Sequence, residues 1–184
     1  MNKLVFWSVL AISVFAHSFA RAETFWLSNE GALITPSDLI DWKVGDEANY
    51  NISSLLGKGT MKKGVTRDEG TGLWVKQELV LGATHDTTEI LINKADAKIL
   101  KMIHNGKEEP VPDQKIEIIS QDYGQVTVPA GTFKALHVVA KTPKVNKIEI
   151  WVNPNETCME GMLKQVANMG FISLTLELTS FVKK

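Results

Sequence analysis

Ile172-Ser173-Leu174-Thr175-Leu176-Glu177-Leu178-Thr179 alternates apolar and polar residues without a break. Such period-two alternation puts four apolar side chains on one face of a strand and four polar ones on the other. One face is then covered and the other wet, the usual condition of an antiparallel sheet with a solvated side. The pattern predicts a strand over Phe171–Val182.

Upstream of it, the chain has the same texture of short apolar runs cut by turn residues. Candidate strands are Glu47–Ser54, Gly59–Arg67, Leu73–Leu81, Thr88–Asn93, Lys98–His104 and Ile116–Asp122. Gln125–Val128, Thr132–Lys141, Lys147–Val152 and Met162–Val166 continue the series. Asp68-Glu69-Gly70-Thr71-Gly72, Lys94-Ala95-Asp96-Ala97, Asn153-Pro154-Asn155 and Asn168-Met169-Gly170 separate neighbours, and Asn105-Gly106 is a strong hairpin dipeptide. Connections this short favour sequential antiparallel pairing, because a parallel crossover needs a dozen or more residues.

Residues 133–140 depart from simple alternation: Phe133, Ala135 and Val139 lie on one face, and Leu136, Val138 and Ala140 on the other. Both faces look buried, which a sheet curling around its core would produce. The expected fold is mainly β: a curved antiparallel sheet or half-closed barrel, in preference to a two-sheet sandwich, with a short N-terminal helix. Thr35-Pro36-Ser37-Asp38 supplies the helix start, with a cap, a proline at the first helical position and a capping-box acid. Leu39, Ile40 and Trp42 would follow on that helix, ending before Gly45, with Trp26 and Trp42 packing onto the domain. Around Cys158, the Asn153-Pro154 pair, Gly161 and the strand-like Met162–Val166 favour a loop followed by a strand.

The first residues carry an address. After Lys3, the run Leu4–Ala16 is uncharged and mostly apolar, and Ala20-Arg21-Ala22 offers small residues where a signal peptidase reads them. The run is shorter than the roughly 20 residues needed to span a bilayer. The expected division is a signal peptide over 1–22, a lead over 23–44 and a β domain over 45–184. No cysteine follows the apolar run, so a lipid anchor of the bacterial lipoprotein type is not expected, and no other segment is apolar enough to cross a membrane. The predicted location is exported, with the periplasm ahead of the extracellular space.

Removing residues 1–22 would leave 18 basic against 21 acidic side chains with no basic block, so nucleic acid and anionic lipid are poor electrostatic partners. A single cysteine, Cys158, rules out an internal disulfide framework. No His or Lys adjoins it in sequence to lower its pKa, so a buried, inert thiol is expected.

Four phrases recur in a fixed order: Trp42-Lys43-Val44-Gly45-Asp46, Val126-Thr127-Val128-Pro129-Ala130-Gly131-Thr132-Phe133, Ile150-Trp151-Val152-Asn153-Pro154 and Gly161-Met162-Leu163-Lys164. This order resembles a group of exported bacterial proteins carrying V-P-A-G-T-F and W-x-x-P…G-x-x-K phrases, distant relatives of the periplasmic lipoprotein-carrier half-barrel. The resemblance implies architecture and transfers no catalytic residue. The phrases also have plain physical roles. Pro129 fixes φ, Gly131 allows a positive φ, and Phe133 anchors the return to the sheet.

Candidate chemistry is sparse. His85, His104 and His137 are spaced 19 and 33 residues apart, which fits no local zinc pattern. His85-Asp86 could form a hydrogen-bonded pair, His104 would be exposed beside its turn, and His137 would be a satisfied core histidine. Glu108-Glu109 beside Pro110 would be a solvated loop. No G-x-S-x-G elbow, G-x-G-x-x-G, Walker-type or H-E-x-x-H phrase occurs. Asn51-Ile52-Ser53 and Asn155-Glu156-Thr157 are formal glycosylation sequons, relevant only in a eukaryotic secretory pathway. Met61, Met102, Met159, Met162 and Met169 are either core filling, the favoured reading, or an adaptable surface for hydrophobic ligands.

No catalytic, cofactor or metal residue is assigned, and no cofactor is expected. Three functions follow in order: a non-enzymatic binding or carrier protein of the cell envelope for a lipid or hydrophobic peptide; an envelope scaffold or accessory subunit that binds another protein through a sheet edge; and a hydrolase without a recognisable motif.

Overall fold

A computed structural model of the chain describes residues 40–55, 57–112, 116–143, 145–169 and 172–184. The predicted signal peptide, the helix start at Thr35 and Trp26 lie outside these residues. Ile40–Lys43 is irregular where the helix was expected to continue. Its two apolar side chains, Ile40 and Trp42, are nevertheless buried against the domain.

The described chain forms β1 (Glu47–Ser54), β2 (Gly57–Asp68), β3 (Gly72–Leu81), β4 (Thr84–Asn93), β5 (Ile99–His104) and β6 (Lys107–Glu109). These are followed by β7 (Glu117–Val128), β8 (Gly131–Thr142), β9 (Val145–Val152), β10 (Met162–Met169) and β11 (Ile172–Val182). All belong to one antiparallel sheet in the order β6-β5-β4-β3-β2-β1-β11-β10-β9-β8-β7. Two of the expected strands, Ile116–Asp122 and Gln125–Val128, are one continuous strand, because Tyr123-Gly124 stays in register with Leu136 and Ala135 of β8. Glu108-Glu109, expected as solvated loop, instead belongs to β6 and pairs with Ile103 and Met102 of β5 across the Asn105-Gly106 turn. Both turn residues have positive φ, 48° and 77°, as a tight primed hairpin requires.

The edge strands β6 and β7 do not pair with each other, so the sheet is not closed into a barrel. It is strongly curved all the same. Eleven strands spaced about 4.8 Å apart would put the edges of a flat sheet about 48 Å apart, yet the seven residues 110–116 joining β6 to β7 span at most about 29 Å. The β7–β8 turn also folds back on the middle of the sheet, where Ala130 N–H donates to the Leu178 carbonyl of β11 (3.0 Å).

Alternation sets the inner face. Ala48, Tyr50 and Ile52 of β1, Met61 and Val65 of β2, and Leu174, Leu176 and Leu178 of β11 all point into the core. Leu136, Val138 and Ala140 of β8 join them, while Ala135 is buried from the opposite parity, so β8 is covered on both sides at that point. Each fully buried aliphatic side chain contributes about 1.5–3 kcal/mol. Met61, Met102, Met159 and Met162 are buried core members, which supports the core-filling reading for these four.

Antiparallel order collects the β2–β3, β4–β5, β7–β8 and β9–β10 connections at one end of the sheet, together with the start of β1 and the end of β11. The β9–β10 loop runs as an irregular segment into β10, as the residues around Cys158 predicted. It depends on Gly161, whose φ is +73° and where a Cβ would meet the backbone of Asn153 and Pro154. Thr157, Cys158 and Met159 of this loop are buried, so it plugs that end of the core.

Candidate functional site

One row of the inner face is polar. Register places Ala48, Lys63, Gln77, Thr88 and His104 side by side across β1, β2, β3, β4 and β5. Directly opposed residues share a face, so Lys63, Gln77 and Thr88 belong to the buried side. They are 1%, 4% and 3% exposed. Apolar rows flank them: Tyr50, Met61 and Leu79 on one side, and Val65, Val75, Ile90 and Met102 on the other.

At one end of this stripe, the Lys63 ammonium lies 2.6 Å from Glu160 Oε1 of the plug loop, with the Trp42 ring centroid 6.0 Å away. At the other end, His104 Nε2 is 3.2 Å from Asp86 Oδ1 and its Nδ1 is 3.4 Å from Glu109. Several buried atoms along the stripe have no hydrogen-bond partner among the described residues: both amide atoms of Gln77, Glu160 Oε2, Trp42 Nε1 and Asp86 Oδ2. Gln165 of β10, fully buried among apolar neighbours, is likewise unpartnered at both amide atoms. An unsatisfied buried polar group costs about 1–3 kcal/mol. Buried polar groups of this kind are met by ordered water, an ion or a ligand when the protein interior does not supply a partner.

The plug shapes the electrostatics nearby. Tyr50 O–H donates to the Met162 carbonyl (3.1 Å). Burial, reinforced by the negative charge of Glu160, pushes its phenol well above the usual range. Cys158 Sγ contacts the Glu47 carbonyl at 3.2 Å. Burial, then the neighbouring Glu160 and Asp46 carboxylates, push the thiol up to about 12. A thiol that stays protonated is a poor nucleophile. Asp46 ties the residues just ahead of β1 to the end of the sequence, accepting the backbone N–H groups of Lys43 (2.9 Å) and Lys184 (2.8 Å).

The three histidines are not brought together. His85 is exposed on β4, His104 is on the neighbouring β5, and His137 is on β8, with six strands between it and β4 in the sheet. Asp86 pairs with His104 and Asn105 and not with His85, so the expected His85-Asp86 pair is replaced. His104, expected exposed, is largely enclosed by Asp86 and Glu109. His137, expected in the core, lies on the outer face. It stacks on Trp151 at 4.3 Å and 9°, with Asp122 3.3 Å from Nδ1. Glu149 is 3.4 Å from its Nε2, near enough for an ion pair but outside hydrogen-bond geometry. Among the described residues, no group of three or more His, Cys, Asp or Glu is placed to hold a metal ion. Nor, among them, is any helix long and apolar enough to cross a membrane.

The polar stripe escaped sequence reading because Lys62-Lys63 looks like a solvated pair. The signal was present in the alternation, where Met61-x-Lys63-x-Val65, Val75-x-Gln77-x-Leu79 and Thr88-x-Ile90-x-Ile92 each carry one polar residue on the inward parity.

No protein-family model matches the chain, and no curated protein matches it in sequence. In structure it is similar to the hypothetical protein CT021 from Chlamydia trachomatis, with a TM-score of 0.53 and 11% identity over 80% of this chain and 91% of that one. The likeness is one of fold. Two further matches are to MucB. In the MucA/MucB complex of Pseudomonas aeruginosa the TM-score is 0.45, with 8% identity over 74% of this chain and 50% of that one. In the crystal structure of MucB it is 0.44, with 8% identity over 96% of this chain and 59% of that one.

Proposed function

We propose that this is an exported, non-enzymatic binding or carrier protein of the cell envelope whose curved sheet receives an amphiphilic guest, a lipid or a hydrophobic peptide. The observation that carries the reading is the stripe of Lys63, Gln77 and Thr88, which crosses an otherwise apolar inner face and leaves several buried polar atoms unsatisfied. The guest's apolar body lies against Met61, Leu79 and their neighbours. Its polar group takes the hydrogen bonds that Gln77 and Glu160 leave open. Discrimination comes from this polar group, because a site built to hydrogen-bond rejects a guest that leaves its buried groups unpaired.

Export rests on the Lys3, Leu4–Ala16 and Ala20-Arg21-Ala22 features of the N-terminus. The non-enzymatic assignment rests on the dispersal of the histidines and on a cysteine held protonated. The test is a titration of the purified mature protein with a fluorescent fatty-acid analogue, followed by displacement with unlabelled long-chain lipid. Saturable binding that weakens at least tenfold in Gln77→Leu supports the proposal. Absence of saturable binding for both the fatty-acid probe and a hydrophobic peptide series refutes it.

A further inference from the structure

The two edges of the sheet differ sharply. β6 is three residues long and is followed by Pro110 and Pro112, which cannot donate to a neighbouring strand. β7 is twelve residues long, bonds among the described strands only to β8, and is exposed along the nine consecutive residues Glu117–Gln125. Along that run Ile118, Ile119 and Tyr123 are 41%, 55% and 70% exposed. Ile118 and Tyr123 stand opposite Ala140 and Leu136 of β8, both buried, so they extend the apolar inner face beyond its cover. A long edge strand with unpaired backbone groups and exposed apolar side chains is a template for strand addition.

We infer that the Glu117–Gln125 edge pairs antiparallel with the same segment of a second copy of this chain, about a two-fold axis at Gln121. Gln121 is the central residue of the exposed run. Pairing about it sets Tyr123 against Ile119 of the second copy and Ile119 against its Tyr123. Aromatic against β-branched is a favourable cross-strand combination. The same register sets Asp122 against Ser120, and Glu117, beyond the bulge, meets the uncharged Gly124-Gln125 stretch, so no like charges face each other. The β-bulge at Ile118–Ser120 adds apolar bulk where Tyr123 of the second copy arrives. Because β6 offers only a three-residue edge, each copy has one competent edge and the assembly closes at two instead of growing into a fibre.

The experiment combines sedimentation velocity of the mature protein over a wide concentration range with cysteine cross-linking. Gln121→Cys places two thiols at directly opposed positions, where antiparallel Cα separations of about 4.5–5.5 Å suit a disulfide. Cys158 is buried and does not compete. The expected result is a concentration-dependent dimer, trapped by mild oxidation in Gln121→Cys but not in Lys58→Cys, an exposed position on β2. Gln121→Lys puts two ammonium groups face to face and shifts the dimer at least tenfold towards monomer, with an unchanged circular dichroism spectrum. A protein that stays monomeric throughout, a dimer indifferent to Gln121→Lys, cross-linking no faster than in Lys58→Cys, or capture of a different protein at β7 in place of a second copy would each overturn the inference.

Discussion

The ammonium of Lys63 on β2 lies 2.6 Å from the carboxylate of Glu160, ninety-seven positions later in the β9–β10 loop, and both side chains are almost wholly removed from water. Through this pair the plug is held to the polar stripe. Removing one partner strands a buried charge, so Glu160→Ala should cost about 3–5 kcal/mol. Replacing both, as Lys63→Met with Glu160→Met, should recover most of that loss or exceed the parent stability. Urea unfolding of the three proteins at a common pH measures both effects.

Gln77 offers an opposite trade. Its amide is buried with no hydrogen-bond partner among the described residues, so Gln77→Met should raise the stability of the unliganded protein by about 1–3 kcal/mol while weakening guest binding. A variant both less stable and unchanged in binding would show that the amide is satisfied in solution and does not serve the guest. Thermal unfolding paired with the probe titration reads both quantities.

Gly161 and Gly70 separate conformation from collision. Both have positive φ, +73° and +82°, but a Cβ at Gly161 would run into Asn153 and Pro154, whereas one at Gly70 meets nothing within 4 Å. Gly70→Ala should therefore lose only about 1–3 kcal/mol through its backbone conformation. Gly161→Ala should lose more and loosen the plug, seen as faster hydrogen exchange at Thr157–Met159.

Most of the architecture was legible because Leu174, Leu176 and Leu178, like Ala48, Tyr50 and Ile52, sit on a strict two-residue period that no helix could satisfy. Asn105-Gly106 and Pro129-Ala130-Gly131 were legible as turns for the same local reason. Lys63 was not, since its burial depends on Glu160 arriving from a loop far along the chain, and no local pattern records that meeting. His137 was misplaced because Leu136 and Val138 on either side made it look interior, whereas alternation puts it on the opposite face against Trp151. Continuity through Tyr123-Gly124 was hidden by the glycine, which local rules treat as a break until the partner strand fixes its register.

Alkaline pH should weaken the fold. The Cys158 thiol is raised in the folded state from 9.0 to about 12 and the Tyr50 phenol is raised well above 10.0, both chiefly by burial. In that window the unfolded chain releases protons that the folded chain retains, so stability is full below about pH 9 and falls as the pH climbs towards 12. Cys158→Ala should reduce the steepness of that fall in urea midpoints measured across the range. At neutral pH the native protein should react with a thiol reagent only after unfolding.

The amphiphile-binding account is tested most directly by native mass spectrometry of the full-length protein expressed in a bacterial envelope and released without detergent. The account predicts a population carrying a bound mass that extracts into organic solvent, and that is lost when both Gln77 and Gln165 are replaced by leucine. Only unliganded protein, in the parent as in the double variant, would contradict it.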